Sequence, residues 1–147
     1  MARITLLVLA CLTVAATLVE GRCYHGWRPF GTKCYRYFFS RSTWHEARPL
    51  CRRYKRGDLV VINNYAENNF VGNLATSGKA WIGMRKTSAS TPFVWVDNVY
   101  SPFKYFAENE QNNSGNSCGE MYMYSKLWAG QTCSETQSYI CEMPEVR

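Results

Sequence analysis

Cysteine placement constrains this chain more than any other feature of its sequence. Seven cysteines occur in 147 residues. One of them, Cys11, lies in an N-terminal stretch that reads as a secretory signal peptide. Arg3 gives it a positive start, Ile4 to Leu18 is almost wholly apolar, and Val19-Glu20-Gly21 offers small residues around a cleavage point after Gly21. A membrane anchor is the rival reading, but the apolar run falls short of the ~20 residues a span needs. No later stretch approaches that length. Cleavage leaves residues 22–147, the size of one domain. Its cysteines are then Cys23, Cys34, Cys51, Cys118, Cys133 and Cys141. An even count in a small secreted chain reads as a disulfide framework, with the pairing open at this point. A zinc site is the alternative; it lacks a Cys-x-x-Cys pair, and only His25 and His45 could assist.

Arg3 and Glu20 leave together, so the formal net charge of +6 survives processing. Such charge suits anionic surfaces such as sulfated glycans, cell walls or mineral, or serves solubility alone. Within the domain, Trp81-Ile82-Gly83-Met84 is too short for a helix and reads as a buried strand. Its glycine implies that another backbone or a large side chain passes close over it.

The elements follow in order. Cys23 to Cys34, with turn residues Gly26 and Gly31, and the aromatic run Lys33 to Phe39 suggest an N-terminal hairpin. Ser42 is a candidate N-cap for a helix whose face is Trp44, Ala47, Cys51 and Tyr54. Pro49 inside it should kink it and make its last turn irregular. Arg52, Arg53, Lys55 and Arg56 cluster at its end, where positive charge suits the helix dipole; they read as a solvated helix end, or as a grip for sulfate or phosphate. Asp58 to Ile62 reads as a strand. Asn64 and Glu67 resemble a capping box opening a second helix, with Phe70, Val71 and Leu74 on its face and its end near Gly78. Ala80 to Met84, Phe93 to Val96, Met121 to Tyr124 and Ser138 to Glu142 read as strands, with Leu127-Trp128 between the last two. Asn109, Asn112, Asn113 and Asn116 sit in a long polar loop, and loops of that length in a compact domain are functional or disordered.

Cys23-x3-Trp27-x2-Phe30-x3-Cys34-Tyr35, Trp44-x2-Ala47-x3-Cys51, Trp81-Ile82-Gly83-Met84, Trp95-Val96-Asp97 and Cys118…Trp128-x4-Cys133-x7-Cys141-Glu142 together resemble the C-type lectin-like domain in its long form, a secreted single-domain lectin. Their order and spacing cover residues 22–147. The resemblance implies an α+β fold: two helices flanking small antiparallel sheets, with a long irregular loop and three disulfides. It implies the pairings Cys23–Cys34, Cys51–Cys141 and Cys118–Cys133. These leave no unpaired cysteine for an interchain disulfide.

In sugar-binding members of that family, a calcium ion in the long loop is completed by sugar hydroxyls, and calcium needs converging hard oxygens. The resemblance places the site at Glu110, Asn112 and Asn116. Glu110-Gln111-Asn112 matches the family's Glu-Pro-Asn triplet at its outer positions, so Glu110 and Asn112 are the expected metal ligands. Gln111 replaces a proline that relatives hold cis, and a non-proline cis bond costs ~2.5–4 kcal/mol. Asn116 carries an amide where a carboxylate is expected. Ala129-Gly130 stand where the family has Asn-Asp. A calcium site with so little charge is expected to be weak or absent. Asn112-Asn113-Ser114 is the chain's one N-glycosylation acceptor, and a glycan on Asn112 would block the site. Tyr100, Phe103, Tyr105 and Phe106, with Trp128 nearby, could stack on sugar faces or anchor protein ligands; Trp128 is expected in the core.

The leading expectation is therefore a secreted, extracellular glycoprotein lectin with glycans or anionic surfaces as partners. No nucleic-acid partner and no membrane span are expected. The alternative is a structural or interaction protein on the same scaffold, such as a mineral-matrix component, an ice-binder or a toxin-like ligand. An enzyme is not expected, because neither histidine has a visible nucleophile or paired carboxylates beside it.

Overall fold

The computed structural model describes residues 22–110, 115 and 117–146. The expected signal peptide with Cys11, and Gln111, Asn112 and Asn116 of the long loop, lie outside these residues.

An N-terminal hairpin pairs β1 (Arg28–Phe30) with β2 (Lys33–Ser42). Helix α1 (Trp44–Arg52) follows at once. Its N-cap is Thr43, not Ser42: the Thr43 hydroxyl accepts the Glu46 N–H at 3.2 Å, and the Glu46 carboxylate accepts the Thr43 N–H at 3.4 Å. This reciprocal box satisfies two otherwise orphaned donors. Ser42 is unavailable because its backbone belongs to β2 and its carbonyl accepts the Trp81 indole N–H at 2.9 Å. Pro49 lies inside the helix, which ends on a tight turn in which the Tyr54 N–H reaches the Cys51 carbonyl.

The expected strand Asp58 to Ile62 shortens to β3 (Asp58–Leu59). Val60 continues as a backbone bridge, donating to Ile140 and accepting from Gly83 at 2.8 Å. Helix α2 (Tyr65–Gly72) is capped by Asn64, which accepts the Glu67 N–H at 2.8 Å. It stops at Asn73, well before Gly78, so Leu74 lies outside it. The stem of Lys126 packs against Gly72, where an added Cβ would lie 2.3 Å from it, and the Lys126 carbonyl and ammonium both bond the helix through Asn68 and Asn69.

β4 (Lys79–Lys86) carries the Trp-Ile-Gly-Met run. β5 (Val94–Trp95) is cut short by a turn at Val96–Asn98, where Asp97 and Asn98 take positive φ. β6 (Ser117–Tyr122), β7 (Trp128–Thr132) and β8 (Gln137–Pro144) complete the set. β7 is a strand that its short, glycine-containing sequence did not announce. The small sheets join into one mixed sheet in the order β1-β2-β8-β4-β6-β7, with β3 on β8 and β5 on β4. All pairings are antiparallel except β4 with β8, where Ala80 faces Ser138 and Trp81 faces Tyr139. The last strand thus lies between β2 and β4.

The glycine of the central run does what its position requires. A Cβ on Gly83 would sit 2.8 Å from the carbonyls of Leu59 and Val60. Trp81 and Ile82 are fully buried, and the Trp44 indole donates to the Ile82 carbonyl at 2.9 Å. The disulfides are Cys23–Cys34, Cys51–Cys141 and Cys118–Cys133, the set the resemblance implies. The second joins α1 to β8.

Candidate functional site: an aromatic shelf beside the long loop

The segment from Val99 to Glu110 has little regular structure, yet it is anchored. Trp128 at the start of β7 donates its backbone N–H to Tyr105, and its carbonyl accepts from Ala107, both at 2.9 Å. This clamps Phe106 alongside Trp128 in a parallel bridge. The Trp128 side chain is fully buried, and its indole donates to Asn68 Oδ1 at 2.7 Å. Trp95, Phe103 and Phe106 each pack edge-on against it with centroids 5.4–5.5 Å away. A buried indole with its donor satisfied and three aromatic neighbours is a core anchor.

Above that anchor lies an open cavity of about 460 Å³ with Met84, Trp95, Asn98, Phe103 and Lys104 in its lining. Its rim is apolar and solvent-facing: Tyr100 is 85% exposed, and Val94 and Val99 are exposed as well. Of the aromatic residues singled out in the sequence, Tyr100 alone is fully presented to solvent. Phe103, Tyr105 and Phe106 are half-buried and pack against the core.

Glu110 is half-buried at the end of a turn in which its N–H reaches the Ala107 carbonyl at 3.1 Å. Asn112 and Asn116, the other two expected sugar-contacting positions, lie outside the described residues. Ala129 and Gly130 fall inside β7, opposite Glu120 and Gly119, and offer no side-chain oxygen. Of the calcium-ligand positions that can be described, Glu110 alone carries a carboxylate. Among the described residues these positions bring one carboxylate, and calcium needs several hard oxygens converging on one point. The one grouping of three metal-capable residues among those described is His45 with Cys118 and Cys133, whose sulfurs form a disulfide. The zinc alternative fails on the same ground, since the six described cysteines are all in disulfides. Both histidines are exposed.

Sequence reasoning missed Glu120. It lies on β6 two residues after Cys118, is 1% exposed, and its Oε2 has no hydrogen-bond partner among the described residues. Burial pushes its carboxyl above the ordinary range; Lys79, 3.5 Å away, and Gln137 pull it back, and Glu110 adds repulsion. The signal was a lone acid in an otherwise apolar Met-Tyr-Met strand context, but its inward direction depends on register.

The Lectin C-type domain family model matches residues 40–143, most of the chain. The chain belongs to the C-type lectin domain family. Chicken hepatic lectin is 31% identical over 122 residues, covering 80% of this chain and 58% of the chicken protein. This chain thus spans somewhat over half the length of that relative. Echinoidin from the sea urchin Heliocidaris crassispina is 31% identical over 144 residues, covering 84% of this chain and 98% of its own. Among solved structures, the C-type carbohydrate-recognition domain of cow CD23, determined in the presence of GlcNAc2Man3 oligosaccharide, superposes with a TM-score of 0.76. It has 28% identity and covers 86% of this chain and 99% of that domain.

Proposed function

We propose that this C-type lectin domain is a secreted glycan-binding protein whose ligand contact is the aromatic shelf rather than a calcium ion. The observation that carries this reading is Tyr100, a large aromatic presented to solvent over a rigid aromatic base. A sugar's C–H face can stack on it at little ordering cost. Glu110 supplies a polar contact in the same reading, and Asn112 and Asn116 remain its expected companions. The lectin relatives, the three disulfides and the absence among the described residues of a helix long and apolar enough to span a membrane support an extracellular setting. Processing after Gly21, a mature domain of residues 22–147 and a glycan on Asn112 belong to the same proposal.

A glycan array probed with and without EDTA tests it. Expected is selective binding that persists in EDTA and falls by roughly tenfold with Tyr100→Ala, the size of one lost stacking contact. No glycan binding under either condition would sink the reading. The bare Ala129-Gly130 pair favours a second one, a protein-, mineral- or ice-binding partner on the same scaffold. Specific binding to such a partner, unaffected by Glu110→Ala, would establish it.

A further inference from the structure

The exposed helix end singled out in the sequence is used by none of this. Its surroundings form a second groove, of about 470 Å³, lined by Trp44, His45, Arg48, Pro49, Arg52, Arg53 and Arg85. Four of the seven are arginines. The two concavities share no lining residue.

The arginines divide by partner. Arg48 holds Asp58 at 3.1 Å and Asp97 at 2.8 Å, so its charge is spent inside the protein. The other nearby acid, Glu46, is engaged in capping α1. Arg52 and Arg53 are exposed and, among the described residues, have no carboxylate within ion-pair distance. Arg85 lies over the Trp44 ring, 5.7 Å from its centroid, which orients the guanidinium without neutralising it. Three uncompensated guanidinium forks thus converge around an apolar strip whose exposed part is Pro49.

We infer that this groove binds a sulfated polysaccharide, with Arg52, Arg53 and Arg85 on its sulfate esters and a pyranose face over Pro49. Guanidinium forks match tetrahedral oxyanions in bidentate geometry and desolvate more readily than ammonium. The apolar strip between them suits a sugar ring rather than a bare inorganic ion. Single-stranded nucleic acid fits poorly, because base stacking needs an open aromatic plane, and Trp44 is 2% exposed beneath Arg85. This site is independent of the aromatic shelf and stands or falls separately.

The test is surface plasmon resonance of the mature domain on immobilised heparin at about 0.15 M salt. Chemically desulfated heparin, phosphatidylserine vesicles and duplex DNA serve as comparison surfaces. Expected is salt-sensitive binding to heparin alone, weakened roughly tenfold or more by the double variant Arg52→Glu/Arg53→Glu. Arg28→Glu/Arg41→Glu changes net charge equally on other exposed positions and should weaken binding far less. If the charge reversal disturbs folding by circular dichroism, Arg52→Gln/Arg53→Gln carries the same test. Three outcomes would overturn the inference: no heparin binding, equal binding to the desulfated chain, or equal losses in the two double variants. Tighter binding to vesicles or DNA would reassign the groove.

Discussion

Single residues decide the two most specific features of this domain. Gly83 is one, because the carbonyls of Leu59 and Val60 occupy the space a Cβ would need. Gly83→Ala is expected to cost about 1–3 kcal/mol by overpacking against backbone that cannot rotate away; urea unfolding of the pair measures it. Glu120 is the other. Burial raises its carboxyl, as it does those of Glu67 and Glu142, so all three favour the protonated form in the folded state more than in the unfolded one. A folded value above the unfolded one means that stability is fullest below the ordinary carboxylate range. It is lost as pH rises through the raised native values. Glu120→Gln removes one such group. The variant should melt above the parent at neutral pH, with the gap closing on acidification. A melting difference independent of pH would contradict the burial argument.

At the scale of elements, the cross-links are unequal. Cys51–Cys141 closes 90 residues and ties α1 to β8, whereas Cys23–Cys34 closes 11 within the hairpin. In the chain-entropy model these correspond to about 4.6 and about 2.8 kcal/mol. Replacing the first pair with alanine should therefore lower the melting temperature more than replacing the second. Helix α1 offers a finer probe: Thr43→Ala removes one arm of the capping box and should cost about 1 kcal/mol, whereas Ser42→Ala leaves the box intact. The N-cap was misplaced by one residue because Ser and Thr are equivalent in local chemistry; the choice was made by the Trp81 indole reaching the Ser42 carbonyl. Likewise α2 stops at Asn73 rather than near Gly78, and Lys126, distant in sequence, packs against its Gly72.

Across the whole molecule, the aromatic shelf and the arginine groove share no lining residue. The two residues after Trp128, Ala129 and Gly130, offer no side-chain oxygen. Calcium addition and EDTA should leave the melting temperature of the mature domain unchanged, since Ala129 and Gly130 supply no ligand. A calcium-dependent rise that Glu110→Ala abolishes would show that the loop outside the described residues completes a site.

Much of this was legible in the residues themselves. The strand at Trp81, the tight approach at Gly83, the cap at Asn64 and the burial of Trp128 follow from local pattern. The cysteine pairing and the α+β class came from the family resemblance. Tertiary structure alone decided which loop aromatics face water, that β7 exists, and that Glu120 points inward. It also decided that Arg48 is spent on two aspartates while Arg52, Arg53 and Arg85 are not. Sequence pattern reports what a residue does along its own element, because spacing fixes the face it occupies. Pairing of charges, register and exposure are set by residues brought together from distant parts of the chain, as Arg48 is with Asp97, and no local pattern encodes them.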